Sequence, residues 1–352
     1  MNDFNILNTM ERETVLITGA AGFIGGQLAY KLYKLDYDLI LVDNMSYGHE
    51  DNLQFDDVDL NDILYIMDIR SKEFEQLFEE NKIDYVYNIA GIAPLPDCQC
   101  NPVEAVDVNV NGLVRVLELC RRYGVQSVVQ ASTNAMYENA IDFPTKETDI
   151  NQYNLPTLIY PNTKYCAERF AESFCNTYEM NVTCVRFANV YGPHIDCLRK
   201  QPPFVGYMIR ELYYNRTPNF FSDGKQSRDY IYVDDLLELV YRARTLNGFN
   251  TINCSSNTSY SVRELYSIAK SIMNKDIEAN YNDSSKYWDK YPELYKGKYK
   301  ISRAILDHEV NKHSQCDNTQ ALEQLDWEPK IDIEEGLKRT IEYTIRMLDN
   351  AS

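Results

Sequence analysis

The chain is short of positive charge. Its 352 residues hold 35 lysines and arginines against 53 aspartates and glutamates, a formal net charge of −18. So acidic a surface repels phosphate backbones and anionic lipid heads, which argues against a nucleic-acid partner and a membrane-surface role. It leaves room for a local basic pocket around a small phosphorylated ligand. Long hydrophobic runs are also missing, and none approaches the roughly 18 residues of a membrane span. Met1 to Arg12 is polar and acidic, without the basic and apolar regions of a secretory leader. The nine cysteines follow no regular spacing, as expected of ordinary thiols in a reducing compartment. Cys98 and Cys100 lack a second pair for zinc, and His308 and His313 do not share a helical face, so no metal site is expected. What is present is core-forming material, 44% hydrophobic and 12% aromatic, which excludes wholesale disorder. At about 150 residues per unit, the length suggests two packed units. The expectation is a globular, cytoplasmic protein.

The first half of the chain alternates short apolar runs with helix-period segments. Strands are expected at Thr14–Thr18, Asp38–Val42, Ile63–Met67, Asp84–Ile89, Gln126–Ala131 and Val182–Phe187. Helices are expected at Phe23–Lys34, Lys72–Glu80, Val103–Tyr123 and Thr163–Tyr178. Apolar strands separated by amphipathic helices predict right-handed crossovers and an α/β fold, a doubly wound parallel sheet covered on both faces. The rhythm breaks after Tyr191, where four prolines punctuate the stretch from Gly192 to Gly224. A strand at Ile231–Val233 and a helix at Asp234–Arg244 then restore it, and helices follow at Val262–Met273 and Ile333–Leu348. The Tyr- and Lys-rich segment from Tyr281 to Tyr299 reads as a surface insertion.

The strand ending at Thr18 runs straight into Gly19-Ala20-Ala21-Gly22-Phe23-Ile24-Gly25 and the first helix. Glycines spaced G-x-x-G-x-x-G allow a tight turn and let the backbone approach a pyrophosphate, which the unpaired N–H groups and dipole of the next helix favour. Asp43 closes the second strand close to the roughly 20-residue offset at which a carboxylate bonds an adenosine ribose. A carboxylate there also repels a 2′-phosphate, so the expected cofactor is NAD rather than NADP. Asp68, after the third strand, is placed to bond the adenine amino group. Asn88-Ile89-Ala90-Gly91 ends the fourth strand in residues small enough for a dinucleotide to cross.

Beyond the fifth strand lie Ala131-Ser132-Thr133-Asn134-Ala135-Met136-Tyr137 and then Tyr160-Pro161-Asn162-Thr163-Lys164. A spacing of four puts Tyr160 and Lys164 on one helical face. A phenol with a pKa of about 10 is a poor base at neutral pH. An ammonium one turn away, with the positive nicotinamide ring of an oxidised cofactor, brings it toward the working range.

These motifs together resemble the extended short-chain dehydrogenase/reductases, in particular their sugar-nucleotide epimerase/dehydratase branch, over Thr14 to Tyr343. The resemblance implies a Rossmann-type NAD-binding domain over 12–190 with 228–253 returning to it. It also implies a smaller α/β substrate domain from 191–227 and 254–349. It makes Tyr160 the catalytic base, Lys164 the lysine that also bonds the nicotinamide ribose, and Thr133 the hydroxyl that bonds the reacting sugar oxygen. It extends the cofactor set of Gly19, Gly22, Gly25, Asp43 and Asp68 to Phe23, Ile24, Asn44, Ile69, Ala90 and Asn109. Asn189, in Arg186-Phe187-Ala188-Asn189-Val190-Tyr191-Gly192-Pro193, is implied to contact the substrate diphosphate. Arg228, in Asp223-Gly224-Lys225-Gln226-Ser227-Arg228-Asp229-Tyr230, is implied to pair with that diphosphate. Phe220 and Arg303 complete the substrate set, and Leu325-Asp326-Trp327-Glu328-Pro329 resembles the branch's C-terminal signature. The chain departs from the pattern at Asn88, where a His is usual, at Gly91 for Ala and at Glu138 for Gly. The implied partner is a nucleotide sugar and the implied assembly a homodimer. In it the helices Val103–Tyr123 and Thr163–Tyr178 pair with their copies through a stripe such as Leu113, Val116 and Leu117, with Phe170 and Phe174.

The expected activity is C4 epimerisation of a UDP-hexose-type substrate through a 4-keto sugar. Dehydratases of the branch carry an Asp-Glu pair directly after the Thr, and its decarboxylases a Glu at the second position; here stand Asn134 and Ala135, which do not ionise. A 4,6-dehydratase, a uronate decarboxylase and a 4-dehydrogenase or 4-keto reductase are the nearest rivals. A non-catalytic NAD-binding regulator is a rival of another class, opposed by intact Thr133, Tyr160 and Lys164.

Overall fold

The computed structural model describes residues 12–53, 55, 58–199 and 201–350; the polar start of the chain lies outside them through residue 11. In chain order the first half runs β1 (Thr14–Thr18), α1 (Phe23–Lys34), β2 (Asp38–Asp43), α2 (Leu60–Ile63), β3 (Leu64–Ile66), α3 (Glu73–Glu80) and β4 (Tyr85–Asn88). It continues through α4 (Leu95–Cys100), α5 (Pro102–Val106), α6 (Leu113–Tyr123), β5 (Ser127–Thr133), α7 (Ile159–Tyr178) and β6 (Val182–Phe187). Then come β7 (Asn189–Tyr191), α8 (Phe204–Tyr213), β8 (Asn219–Phe221), β9 (Ser227–Tyr232), α9 (Val233–Ala243), β10 (Phe249–Cys254) and β11 (Ser259–Ser261). The chain closes with α10 (Val262–Ile272), β12 (Asn280–Asn282), α11 (Arg303–Asn311), α12 (Thr319–Leu325) and α13 (Ile333–Asn350).

Seven strands pair in parallel in the order β3-β2-β1-β4-β5-β6-β10. The inner strands are apolar on both faces because both faces are covered, as a doubly wound sheet requires. Val15 and Ile17 of β1 point into a core shared with Leu28 and Leu32 of α1 and with Leu236 and Val240 of α9. Leu16 points the other way, to Phe74 and Leu77 of α3, Leu113, Val116 and Leu117 of α6, and Ala167 and Ala171 of α7. Strand order reverses between β1 and β4, and at such a switch point the carboxyl ends of the strands leave a crevice. Beyond the sheet's carboxyl edge lie a three-stranded sheet, β11-β9-β7, and the pair β12-β8. Of the 228–253 return, β10 joins the large sheet beside β6, whereas β9 sits between β7 and β11.

Four sequence expectations need correction. The helix expected over Val103–Tyr123 is not uniform: its turn at Asp107–Gly112 widens to π geometry between α5 and α6, a feature common at functional sites. The helix carrying Lys164 begins at Ile159 rather than Thr163, because Pro161 is tolerated in a first turn, where no intrahelical partner awaits its missing N–H. The Tyr-rich segment does lie largely at the surface but is more than an insertion: two 3₁₀ turns, Ser284–Lys290 and Pro292–Tyr295, bury Trp288 and Leu294 against Leu306. Finally, Leu113, Val116 and Leu117 cover the sheet instead of facing outward; on α7, Phe170 is exposed and Phe174 only partly covered.

Candidate active site

The phosphate turn is built as its glycines predict. Gly19 has φ +68°, and a Cβ there would lie 2.7 Å from the Ala90 nitrogen; one on Gly25 would lie 2.1 Å from the Gly19 carbonyl oxygen. Strand four and the first turn of α1 can approach this closely only without side chains. No side chain caps α1, and its first turn holds no acid. The N–H groups of Phe23, Ile24 and Gly25 therefore present uncompensated positive character to an anion. Asp43 follows at the end of β2, its Oδ2 accepting the Ala21 N–H at 2.9 Å and its Oδ1 the Met45 N–H at 2.8 Å. Burial raises its pKa against the pull of those two bonds. Each oxygen keeps a lone pair for a ribose hydroxyl, so these residues fit a dinucleotide.

Asp68 is more committed than the sequence suggested. It accepts the Arg70 backbone N–H, Nε and Nη2, each at 2.8 Å, and the Asn44 side chain at 3.1 Å. Arg70 holds its pKa down at about 2. Four bonds fill a carboxylate's capacity, so an adenine amino group at Asp68 has to displace one of them. Ile69 is buried beside Gly112. Ala90 lies over Gly19, and Gly91 sits where a Cβ would meet the Asn109 oxygen and Lys164 Nζ, both at 3.0 Å. Asn109, in the widened turn, bonds the Ile92 N–H (2.8 Å) and carbonyl (3.0 Å) and reaches Thr163 Oγ1 (3.0 Å). It thus ties the strand-four end to the helix of Tyr160. Asn88, the departure from the family's His, lies in a buried ladder: it accepts from Thr18 Oγ1 at 2.5 Å and donates to Gln130 at 2.7 Å.

The catalytic candidates meet where β5 ends and α7 begins. Thr133, Asn134, Ala135, Glu138 and Tyr160 line one cavity of about 320 Å³. Burial pushes the Tyr160 phenol up to about 12, while the hydrogen-bonded Thr133 hydroxyl pulls it back. Lys164 Nζ donates to the Ala131 carbonyl at 3.0 Å, and burial lowers its pKa to about 8. Burial works against the charged form of both groups, so phenolate beside ammonium is costly here until the positive nicotinamide ring of an oxidised cofactor adds its charge.

Beneath them Arg186 forms a bidentate pair with buried Glu168, Nε to Oε1 at 3.0 Å and Nη2 to Oε2 at 2.6 Å. Arg186 Nη1 bonds Tyr137 Oη at 2.6 Å, and Ser132 Oγ bonds Glu168 at 2.6 Å. Burial works against the guanidinium's charge, yet Glu168 and Tyr137 hold its pKa above the usual range.

Asn189 and Arg228 stand in the walls of both this cavity and an adjoining one of about 630 Å³. Phe220 lies in the larger one among Phe204, Tyr207 and Tyr266. Arg228 donates to the carbonyls of Ser227, Glu309, Val310 and Lys312. Its charge therefore caps the carboxyl end of α11, and burial lowers its pKa. Arg303 is not brought to the site: it pairs with Asp289 at 3.0 Å, lies over Tyr295 and lines neither cavity. Lys290, Tyr287 and Trp288 of the Tyr-rich segment line the larger cavity instead. Composition pointed to the surface, where Lys290 indeed lies, and hid only the buried Trp288 that anchors the turn. Among the described residues no cluster of His, Cys, Asp or Glu could hold a metal ion, and no helix is long and apolar enough to cross a membrane.

Comparison with known proteins agrees with this geometry. Residues 15–255 match the NAD dependent epimerase/dehydratase family. The solved structure of a UDP-glucose 4-epimerase from Thermotoga maritima with UDP-glucose is 31% identical. It superposes with a TM-score of 0.82 over 95% of this chain and 99% of that one. A UDP-glucuronate 4-epimerase of Thermodesulfobacterium geofontis is 28% identical, over 94% of this chain and 95% of its own. A UDP-glucose 4-epimerase of Mycolicibacterium smegmatis is also 28% identical, over 93% and 97%.

Proposed function

The chain belongs to the NAD-dependent epimerase/dehydratase family, and from that premise we propose that it interconverts the C4 epimers of a UDP-hexose through a transient 4-keto sugar. The observation that carries this reading is the wall around the proposed C4 position. Thr133 and Tyr160 face one small cavity, and the two positions after Thr133 are Asn134 and Ala135. Neither can serve as the acid or base that water elimination across C5 and C6 demands. When bound, NAD supplies reversible uptake of a hydride from C4. The chain's own residues do the rest. Tyr160 takes the C4 hydroxyl proton, Thr133 holds the oxygen, and Lys164 lowers the cost of the phenolate by its charge. Tyr160 then returns the proton after the sugar has turned over. The larger cavity, with the rings of Phe204 and Phe220 and the cations Arg210, Arg228 and Lys290 in its walls, suits a nucleoside diphosphate.

The test is product analysis by NMR in deuterated water with UDP-glucose. The expected product is UDP-galactose, with every carbon-bound hydrogen retained and no net absorbance change at 340 nm. Deuterium at C5 or an accumulating 4-keto-6-deoxy sugar would overturn the reading, and would make Glu138 the base that Asn134 and Ala135 are not.

The proposed assembly is a homodimer through α5 and α7. Since Leu113, Val116 and Leu117 are spent on the sheet, its apolar surface is the outward set Val103 (71% exposed), Val106, Phe170 and Tyr178. Sedimentation at micromolar concentration should give twice the 41.0 kDa chain mass; a monomer there would rule the dimer out.

A further inference from the structure

The chain carries a formal charge of −18, so an anionic ligand is welcome only where a cation is free to meet its charge. Four charged side chains stand in the walls of the larger cavity: Arg210, Arg228, Lys290 and Glu309. Three of them are committed within the protein. Glu309 pairs with Lys312 at 2.7 Å. Arg210 pairs with Glu211 and donates to the Cys197 carbonyl, both at 2.9 Å. Arg228 directs Nη1 to the carbonyls of Ser227 and Lys312, and Nη2 to those of Glu309 and Val310. Of a guanidinium's five N–H groups, that leaves a ligand only the one on Nε unless the end of α11 moves.

Lys290 differs. The residue is exposed, and its Nζ lies 4.8 Å from the ring centroid of Tyr287 and 5.5 Å from that of Phe221. Both rings line the larger cavity, which places the ammonium itself, and not only its stem, at the cavity wall. Among the described residues no carboxylate pairs with it and no acceptor takes its N–H groups. The adjacent Asp289 goes to Arg303 instead, at 3.0 Å. Packing against the rings lowers the Lys290 pKa, and no acid opposes that shift. The two rings hold the cation in place without neutralising it, on a turn fixed by the buried Trp288.

We propose that Lys290 is the cation that binds the diphosphate of the nucleotide sugar, and that Arg228 serves the same cavity by holding the end of α11. The inference rests on the UDP-hexose reading above and assigns its charge recognition to the Tyr-rich segment. An ammonium that leaves no protein partner behind when phosphate arrives keeps its full attraction for the ligand. Arg228 would first have to break bonds to carbonyls, and Arg303 lines neither cavity.

The experiment measures the affinities of uridine, UDP and UDP-glucose, by NMR titration, for NAD-loaded wild type, Lys290→Gln and Lys290→Arg. Lys290→Gln should weaken UDP by about 10-fold, the lower end for a hydrogen bond to a charged group, and leave uridine within about twofold. Lys290→Arg keeps the charge and should bind UDP within about threefold of wild type. Added salt should weaken UDP more steeply in wild type than in Lys290→Gln. An unchanged UDP affinity in Lys290→Gln would overturn the proposal. So would an equal loss for uridine and UDP, the mark of a residue that only shapes the wall, or a Lys290→Arg as weak as Lys290→Gln. Each of those results leaves the UDP-hexose reading standing. A wild type that binds neither UDP nor UDP-glucose refutes that reading and takes the proposal with it.

Discussion

Tyr160→Phe should leave the fold and NAD binding intact and lower turnover by at least about 100-fold, the low end of what a positioned acid–base group contributes. The substitution removes one oxygen from a side chain that lines the smaller cavity, and the ring that packs there stays. The phenol is held at about 12 by burial, eased by Thr133, and Lys164 titrates at about 8. The pair therefore loses its first proton near pH 8, chiefly from Lys164, and the form with phenolate beside ammonium is a minor tautomer of that singly deprotonated state, populated in proportion to it. In wild type kcat/KM should climb with pH through about 8; in Tyr160→Phe the residual rate should lose that limb. Turnover within a factor of a few of wild type, or an unaltered pH limb in the variant, would remove Tyr160 from the proton transfer.

Much of this site is written locally in the sequence, and what is missing is written in contacts between distant segments. The first helix falls on Phe23–Lys34 as its period predicts, since a glycine turn fixes its start and the apolar spacing its buried face. Tyr160, Lys164 and Thr133 could be matched to roles because each sits at the end of an element whose pattern is strong. β10 escaped notice because Asn250, Thr251 and Asn253 break its apolar run. The structure buries Asn253 nevertheless, for its N–H reaches Glu147 at 2.7 Å and its side chain the carbonyls of Thr145 and Asp317. Arg303 could be nominated only by its place in the chain, whereas Lys290 reaches the larger cavity through a turn anchored by Trp288. Likewise an amphipathic stripe such as Leu113, Val116 and Leu117 does not say whether a sheet or a second subunit covers it. Glu138 stood out only as a departure from a pattern. What gives it meaning is the pair of amides nearly twenty positions later.

Arg186→Met should destabilise the protein by about 3–5 kcal/mol, the range for breaking a buried ion pair by removing one partner. Glu168 is wholly buried and Arg186 nearly so, so solvent cannot take over when the guanidinium goes. What remains around Glu168 is the Ser132 hydroxyl at 2.6 Å. Tyr137 keeps its bond to Asn253 at 2.8 Å, and the Glu147 carbonyl loses the Arg186 donor at 2.9 Å. The cost is that of an uncompensated charge more than of a missing attraction. Replacing both partners, as Arg186→Met with Glu168→Leu, should therefore recover most of the loss, and urea unfolding of the four members of this cycle measures it. The network also reaches the proposed catalytic residues, because Ser132 precedes Thr133 on β5 and Glu168 lies one turn beyond Lys164 on α7. The single variant should accordingly lose turnover even at temperatures where it stays folded. A loss below about 1 kcal/mol in Arg186→Met, or a double variant no more stable than the single one, would show that the stability of this region resides elsewhere than in the Arg186–Glu168 pair.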